Sequence, residues 1–386
     1  MDKRVYMLTT VAFVVGMAEL IVGGILDLVA NDLGVSVSKA GLLITVFAFI
    51  FAISAPILLI TFSKVERTRL TVIALTVFLI GNIFSIISPT FSILMIARII
   101  SAASGSLATV LCINLASRIA SPSNRGRAIG LVVMGTSGSL VLGLPIGVLL
   151  GNLFSWRTPF ILIAILTVIL LFAVSFFMEK IDPTPAVSLQ KQVETLKNAR
   201  ISFAHLTTFF FLAGHFTFYG YLTPYAKTIL QFDGMTISIL YFVYGIAAVS
   251  GGGLSGIAAD RFGVKRTVFT TITFLIFCLL VIPYSVTFVP AFWVLLVVWG
   301  MMSWGITPPI HSHLFSLSPD TADIQQSLNN AALHLGIAFG TFVGSLIINY
   351  ASVEQNAHFG LSFVIFSFVA AAFTLRKGSD VVREAN

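Results

Sequence analysis

Glu19 and Arg98 are charged residues embedded in long apolar stretches of this chain. Glu19 lies in the run VVGMAELIVGG and Arg98 in the run ILMIARIISAA. A charge placed deep in an apolar environment is costly, so such residues usually take part in moving an ion or a substrate. A carboxylate can gain or lose a proton as its surroundings change, whereas an arginine stays charged. We therefore interpret Glu19 as a proton carrier and Arg98 as its fixed positive partner; a static ion pair between two helices is the alternative.

A second group of candidates is aromatic or polar. His215 and Tyr219 are four residues apart and share one face of a helix. An imidazole beside a phenol suits a planar heterocycle, by stacking and by hydrogen bonding to ring nitrogens. Trp304 and Asn114 are further candidates for a substrate cavity. The alternatives are a packed histidine, a membrane-interface tryptophan and, for Asn114, a buried amide that bonds a neighbouring helix.

The histidines and cysteines do not predict a metal site. His311 and His313 are two residues apart, so they lie on different faces of a helix, and no carboxylate or thiolate accompanies them nearby. Cys112 and Cys278 both lie within apolar runs. Two thiols in that setting predict neither a disulfide framework nor a metal site.

The elements that carry the candidate residues are predicted to be membrane-spanning helices. Of the 386 residues, 57% are hydrophobic and 10% are charged, and the mean hydropathy is +1.01. A soluble domain carries about 25% charged residues, so this composition excludes a water-exposed globular protein. A helix needs about 20 apolar residues to cross a bilayer. The sequence predicts twelve such helices, approximately at 5–26, 40–62, 70–88, 92–118, 128–150, 158–178, 202–226, 236–258, 267–287, 291–313, 325–350 and 357–376.

The distribution of basic residues predicts the orientation of the chain. Eighteen Lys and Arg residues fall on the side that holds both termini, and three fall on the other side, namely Lys39, Arg157 and Lys227. Cytoplasmic loops of membrane proteins carry the excess of Lys and Arg. Both termini are therefore predicted to lie in the cytoplasm.

A shift of 197 residues matches the chain to itself. Gly143 then falls on Gly340 and Gly147 on Gly344, and basic loop residues coincide at the same shift. Because each half holds six predicted helices, the two halves have the same orientation. Proteins built from such parallel repeats place the substrate between the halves, near the middle of the membrane. The predicted organisation is an N-terminal bundle, a cytoplasmic linker and a C-terminal bundle at residues 1–178, 179–200 and 201–386.

Several motifs resemble those of a known family. GGLSGIAADRFGVKR at 252–266 resembles the G-x-x-x-D-R-x-G-x-[KR] loop signature of the major facilitator superfamily. The equivalent first-half segment, SKVERTRL at 63–70, departs from it, with Ser63 in place of the Asp and Glu66 in place of the Gly. GLPIG at 143–147 is similar to the fifth-helix motif associated with antiporters of that family. The resemblance implies an all-α integral membrane fold of twelve helices in two six-helix bundles.

The same resemblance implies roles for individual residues. Arg98 stands where the family's fourth helix carries an arginine, and helices 1 and 4 line the central cavity, so Glu19 and Arg98 are expected to meet. Gly143, Pro145 and Gly147 are expected to allow close packing and bending of the fifth helix. A cytoplasmic loop is expected to latch the halves together in the outward-open state. The residues implied in this latch and in a cytoplasmic gate are Asp260, Arg261, Arg266 and Asp323.

A narrower similarity points to a branch of that family. Four segments look like those of bacterial purine base and nucleoside efflux pumps in the drug:proton antiporter branch. They are AELIVGGILDLVANDLGVSVSKAG, AGHFTFYGYLTPY, WGMMSWG and SPDTADIQQSLNNAALHLG, at 18–41, 213–225, 299–305 and 318–336. The similarity implies a bacterial plasma membrane protein that exports purines; hydrophobic drugs and sugars stay open as other substrates.

The expected function is that of a secondary active transporter that exchanges a small neutral solute for protons. The chain contains no G-x-x-x-x-G-K-[ST] loop, which argues against an ATP-driven pump. A membrane-embedded enzyme would need a nucleophile–base pair or a metal cluster, and a channel would need repeated polar groups along its path. We therefore expect no enzymatic activity and no cofactor beyond the proton gradient. The expected partners are the substrate, protons and the lipid bilayer, with no nucleic acid, and the protein is expected to be a monomer.

Overall fold

The computed structural model describes residues 2–183 and 189–376. This part of the chain contains twelve helices that are long and apolar enough to cross a membrane, so the prediction of twelve spanning helices is confirmed. Short helices at Leu26–Asp32 and Leu189–Thr195 lie outside the spans. We number the spanning helices α1 to α12, at Lys3–Gly24, Val37–Thr61, Arg67–Ile87, Phe91–Ile119, Arg125–Leu153, Thr158–Phe177, Ala199–Thr228, Gly234–Phe262, Val264–Thr287, Val289–Leu317, Pro319–Tyr350 and Gln355–Thr374.

The helix boundaries repeat at a constant spacing. Helix α2 begins at Val37, and α8 begins 197 residues later at Gly234. Helix α3 begins at Arg67, and α9 begins at Val264, again 197 residues later. The spacing inferred from the glycines therefore also separates equivalent helices of the two halves. The basic residues Lys377 and Arg383, counted in the orientation argument, and part of the linker lie outside the described residues.

Glu66 ends the α2–α3 loop at the position equivalent to Gly263 in the second half. Gly263 has a φ of +88°, which strains any residue with a side chain. Glu66 instead caps α3: its carboxylate accepts the backbone N–H groups of Thr68 and Arg69 at 2.7 and 2.8 Å and that of Ile181 in the linker at 2.8 Å. Burial acts to raise the pKa of Glu66, but these backbone donors outweigh it and lower the pKa overall. The departure from the loop signature is thus a helix cap that also holds the linker.

The two halves meet mainly along two pairs of helices. Helix α2 packs on α11, and α5 packs on α8. At the end of the bundle away from the termini, which we call the distal end, the short helix Leu26–Asp32 also contacts the last part of α7. The opposite end, which carries the described chain termini, is called the terminus end.

Helix α5 is irregular where the second half packs against it. Residues Ser139–Gly143 form one π-helical turn, and two residues after it comes Pro145, whose nitrogen cannot donate a hydrogen bond. A β-carbon on Gly245 of α8 would come 2.6 Å from the carbonyl oxygen of Leu140 in this turn. The irregular turn therefore lies in the interface between the halves, and a glycine of the other half packs directly on its backbone.

The glycines that the sequence assigned to packing lie between helices. A β-carbon on Gly143 would come 3.2 Å from that of Met17 on α1, and one on Gly147 would collide with the side chain of Ile21. In the second half, a β-carbon on Gly340 would collide with the carbonyl oxygen of Ala213. Small residues thus bring α5 close to α1 and α11 close to α7.

Gly340→Ala is expected to destabilise the protein, because the added β-carbon would meet backbone of α7, which cannot rotate away. Overpacking of this kind costs about 1–3 kcal/mol. Gly253→Ala is the matched control, since a β-carbon there has no neighbouring atom within 4 Å. Thermal unfolding of the purified variants should show a lower Tm for G340A only. Equal Tm values for the two variants would contradict the close approach of α7 and α11.

Candidate functional site

Glu19 lies on α1 at the interface, and its carboxylate contacts the other half of the protein. Its Oε1 atom lies 3.2 Å from Nε2 of His334 on α11. The His334 ring stacks on Phe51 of α2, with 4.5 Å between centroids and 22° between planes. The other ring nitrogen, Nδ1, lies 2.9 Å from the carbonyl oxygen of Asn330. Phe51 and Glu19 of the first half and Asn330 of the second half therefore hold the His334 ring, and each of its nitrogens has a bonding partner.

Arg98 is fully buried on α4 and reaches the same turn of α1. Its Nη1 donates to the carbonyl oxygen of Ala18 at 2.7 Å, and its guanidinium carbon lies 4.0 Å from the centroid of the Phe47 ring. Within the described residues, Nε and Nη2 of Arg98 have no hydrogen-bond partner. In the part of the chain that the structure describes, Arg98 and Glu19 do not form an ion pair in this conformation, because the guanidinium bonds the backbone carbonyl of Ala18 while the Glu19 side chain points to α11. The role of Arg98 as a fixed charge near Glu19 stays a prediction.

His334 is the residue that sequence reasoning missed. It lies within the run ALHLGIAFG, so the criterion that singled out Glu19, a titratable group in an apolar segment, would also have found it. Its pairing with Glu19 depends on how the two halves dock, which local sequence does not report.

A small cavity lies between the halves beside Glu19. Residues of α1, α2, α7 and α11 form its wall, which is mostly apolar and aromatic. The hydroxyl of Tyr219 is buried and has no hydrogen-bond partner within the described residues. The cavity thus combines a carboxylate, aromatic faces and one unpaired hydroxyl. Its lining residues are Glu19, Leu20, Gly23, Ile44, Phe47, Ala48, Phe216, Tyr219, Gly220 and Ile337.

His215 belongs to a closed hydrogen-bond chain within the second half. The indole N–H of Trp299 donates to His215 Nδ1 at 3.0 Å, so Nε2 carries the ring proton and faces the Tyr244 hydroxyl at 3.2 Å. That hydroxyl donates to Ser303 Oγ at 2.7 Å, which donates to the carbonyl of Gly300 at 2.7 Å. Each donor in this series of four hydrogen bonds has an acceptor, so the structure holds His215 as a neutral imidazole with both nitrogens bonded.

The other cavity candidates differ in position. Tyr219 lines the cavity and stacks on His215, which is not part of the cavity wall. Trp304 is half-buried and is also absent from the wall. Asn114 is exposed, so its interpretation as a buried amide is wrong: its position on α4 faces away from the packed core. Of these four candidates, the structure brings Tyr219 to the Glu19 cavity.

The residues assigned to the latch and gate lie at the terminus end. Asp260, Arg261 and Arg266 flank the α8–α9 loop and are exposed. Asp323 is exposed in the first turn of α11, where it lines a surface pocket with His311. Within residues 2–183 and 189–376, none of these four assigned residues has a hydrogen bond or ion pair to the first half, so the expected latch is not engaged in this conformation.

Polar contacts join the halves at the distal end. Lys227 Nζ of α7 lies 2.6 Å from Asp27 Oδ2 and 3.3 Å from Asn152 Oδ1. The hydroxyl of Thr223, just after a break in α7, donates to the carbonyl of Gly24, where α1 ends, at 3.2 Å. The structure is therefore closed at the distal end.

Comparison with known proteins identifies the family. The sequence matches the profile of the Major Facilitator Superfamily over residues 8–341 and 206–380. The chain belongs to the Major Facilitator Superfamily, whose members are transporters, and it is a multi-pass membrane protein.

Among individual proteins, the uncharacterized MFS-type transporter YbcL of Bacillus subtilis (strain 168) is 29% identical over 368 residues, covering 95% of this chain and 94% of that protein. A probable sugar efflux transporter of Helicobacter pylori (strain P12) is 25% identical over 362 residues, covering 92% and 91%. These relatives are transporters rather than enzymes. They do not confirm the similarity to purine pumps, which stays a prediction.

Solved structures share the fold. A bacterial homolog of the human lysosomal transporter Spinster, in an inward-facing and unoccupied conformation, has a TM-score of 0.73 at 16% identity, covering 97% of both chains. The human organic anion transporter MFSD10 has a TM-score of 0.69 at 14% identity, covering 96% of this chain and 100% of its own. At these identities the likeness establishes the fold alone.

His215→Phe is expected to lower the Tm, because the buried N–H of Trp299 loses its acceptor and the Tyr244 hydroxyl loses a partner. A buried polar group left without a partner costs about 1–3 kcal/mol. The control is His358→Phe, which changes a half-buried imidazole whose described contact is an edge-on approach to Tyr284. A thermal shift assay on both purified variants measures the difference; an unchanged Tm for H215F would show that the hydrogen-bond chain does not stabilise the bundle.

Proposed function

We propose that this chain is a proton-coupled secondary active transporter that exports small neutral heterocycles, such as purine bases or nucleosides, by alternating access between its two halves. The observation that carries the proposal is the position of Glu19. It is the acidic residue in the wall of the cavity between the halves, and it is bonded across the interface. A group that changes charge at that place can link proton binding to the relative position of the halves.

The surroundings of Glu19 support proton coupling. The side chain retains 21% exposure, so water can reach it, while Arg98 of α4, which bonds the carbonyl of the adjacent Ala18, is fully buried and permanently charged. Glu19 also faces an imidazole of the other half, so movement of the halves changes the surroundings of a carboxylate that water can reach.

The cavity wall supports a planar or ring-shaped neutral substrate. Phe47, Phe216 and Tyr219 offer aromatic faces, and the unpaired Tyr219 hydroxyl can donate to or accept from a ring nitrogen. A sugar is the second candidate, favoured by the probable sugar efflux transporter among the relatives. Aromatic faces and a hydroxyl also suit sugars, so transport assays have to separate the two.

The proposed cycle uses the plasma membrane and its proton gradient, with both termini in the cytoplasm and the protein acting as a monomer. Asp260, Arg261 and Arg266 would engage the first half when the terminus end closes, and Asp323 would line the gate. The exposure of these four residues in the present conformation agrees with that sequence of events.

The substrate proposal predicts uptake by inside-out vesicles or proteoliposomes that carry an imposed pH gradient. Labelled adenine and hypoxanthine should accumulate, and a protonophore should abolish the accumulation. A nucleoside, a pentose sugar and a cationic dye are assayed beside them. Accumulation of the sugar alone would replace the purine proposal by the second candidate, and the absence of transport for every compound would eliminate both.

Glu19→Gln is expected to abolish accumulation driven by the pH gradient, because an amide cannot carry the proton. Substrate counterflow, which needs no net proton movement, should continue. Glu354→Gln, which changes an exposed acid in the distal α11–α12 loop, is the control and should behave as the unmodified protein. Gradient dependence that survives in E19Q would remove Glu19 from the coupling mechanism.

A further inference from the structure

We propose that Glu19 and His334 form a single proton-binding site that spans the two halves, in which one shared proton holds the distal end closed. The proposal adds His334, on the opposite half, to the residues that couple protons to movement. It deepens the proposed function, and its structural test does not depend on any substrate.

The hydrogen on the His334 ring is placed by its neighbours. Nδ1 lies 2.9 Å from the carbonyl oxygen of Asn330, and a carbonyl oxygen can only accept a hydrogen bond. Nδ1 therefore carries a hydrogen. A ring flip would place carbon atoms at both nitrogen positions, so the contacts to Asn330 and Glu19 fix this orientation of the ring.

With Nδ1 occupied, the contact between Nε2 and Glu19 requires one further proton. The pair is either an imidazolium beside a carboxylate or a neutral imidazole that accepts from a carboxylic acid, and both forms hold one proton across the 3.2 Å separation. Removal of that proton leaves a lone pair on Nε2 facing a carboxylate. Two acceptors at this distance repel each other, so the contact between the halves is lost.

The charged and titratable groups around the pair define where the released carboxylate goes. Helix α4 contributes Arg98, whose Nε and Nη2 are buried and lack an acceptor within the described residues. Helix α7 contributes Tyr219, and α2 contributes the uncharged rings of Phe47 and Phe51. A buried donor without a partner is costly. Arg98 already bonds the carbonyl of Ala18, the residue before Glu19. The geometry therefore points to Arg98 as the alternative partner of Glu19 once the proton has left.

The pair lies at the boundary of the closed region. Along α1 and its extension, the polar contacts to the second half involve Asp27, then Gly24 and Gly23, and then Glu19. Glu19–His334 is thus the described polar contact between the halves that lies furthest from the distal end. A proton released there leaves toward the terminus end. Its loss breaks the Glu19–His334 contact between the halves.

The sign of the coupling follows from the proton count. A ligand that binds one conformation better shifts the equilibrium toward that conformation. The shared proton is bound only when the distal end is closed, so acid conditions stabilise this conformation and alkaline conditions favour closure of the terminus end. In a cell with cytoplasmic termini, an incoming proton would drive the exporter to its inward-facing form, which is the direction that proton-driven export needs.

The test measures the opening of the terminus end as a function of pH. Spin labels are attached at Ser123→Cys and Asp320→Cys, exposed positions 197 residues apart at the terminus end of the two halves; native Cys112 and Cys278 are buried. Distances are measured by double electron–electron resonance on the full chain in lipid nanodiscs between about pH 5 and about pH 9, a range that brackets the ordinary titration of histidine. The unmodified protein should show a long distance at low pH and a growing short-distance population as the pH rises.

His334→Gln should abolish this pH response, because a glutamine amide donates to the Glu19 carboxylate at every pH. The matched control, His358→Gln, should keep the full response. Glu19→Gln provides a second, independent variant: its amide donates to the neutral Nε2, so the pH response should again be lost. Loss in both variants supports the shared-proton site. A response like that of the unmodified protein in either folded variant overturns it, and E19Q decides alone if H334Q does not fold.

Failure of this inference and failure of the proposed function give different results. A pH response that needs His334, found together with no transport of any assayed compound, would support the shared-proton site and eliminate the substrate proposals. Purine export driven by the proton gradient, found together with an intact pH response in H334Q, would overturn the role of His334 and leave the proposed function in place.

Discussion

A charge inside an apolar bundle has no water to solvate it, so its stability depends on the few protein groups within reach. In this protein that constraint brings Glu19, Arg98 and His334 together at one level of the membrane, where the two halves meet. Arg98 is bonded to backbone and stacked on Phe47, yet two of its nitrogens lack an acceptor within the described residues. In the described part of the chain, buried polar atoms without a partner thus lie beside the interface at Arg98 and Tyr219, where a bound group can supply the missing hydrogen bond.

His215 and His334 illustrate how neighbours decide what a buried histidine can do. Both rings stack on aromatic side chains and bond through both nitrogens. At His215 one nitrogen faces an N–H donor, so the neutral ring satisfies all its contacts. At His334 one nitrogen faces a carbonyl and the other an acid, so the contacts are complete only with an added proton. The first arrangement stabilises one half; the second joins the two halves in a protonation-dependent way.

The irregular parts of the helices lie where movement between the halves must be accommodated. The π-helical turn Ser139–Gly143 of α5 lies against Gly245 of α8, and the end of α1 leaves the carbonyl of Gly24 free to accept from Thr223 of the other half. A regular helix uses its carbonyl groups internally. The interruption at the end of α1 instead makes the Gly24 carbonyl available to the opposite half.

The number of spanning helices, their 197-residue spacing and the placement of Glu19 within a spanning helix followed from sequence alone, because the length of an apolar run and the cost of burying a charge are local properties. Glu66 as a departure from the loop signature was also visible, although its role as a helix cap was not. The partner of Glu19 was decided by tertiary structure: it depends on the rotation of α1 and α11 about their axes and on the docking of two halves whose residues are far apart in sequence. For the same reason Asn114 is exposed and His215 lies behind Tyr219, since helical spacing places residues on a common face but does not say which neighbour that face meets.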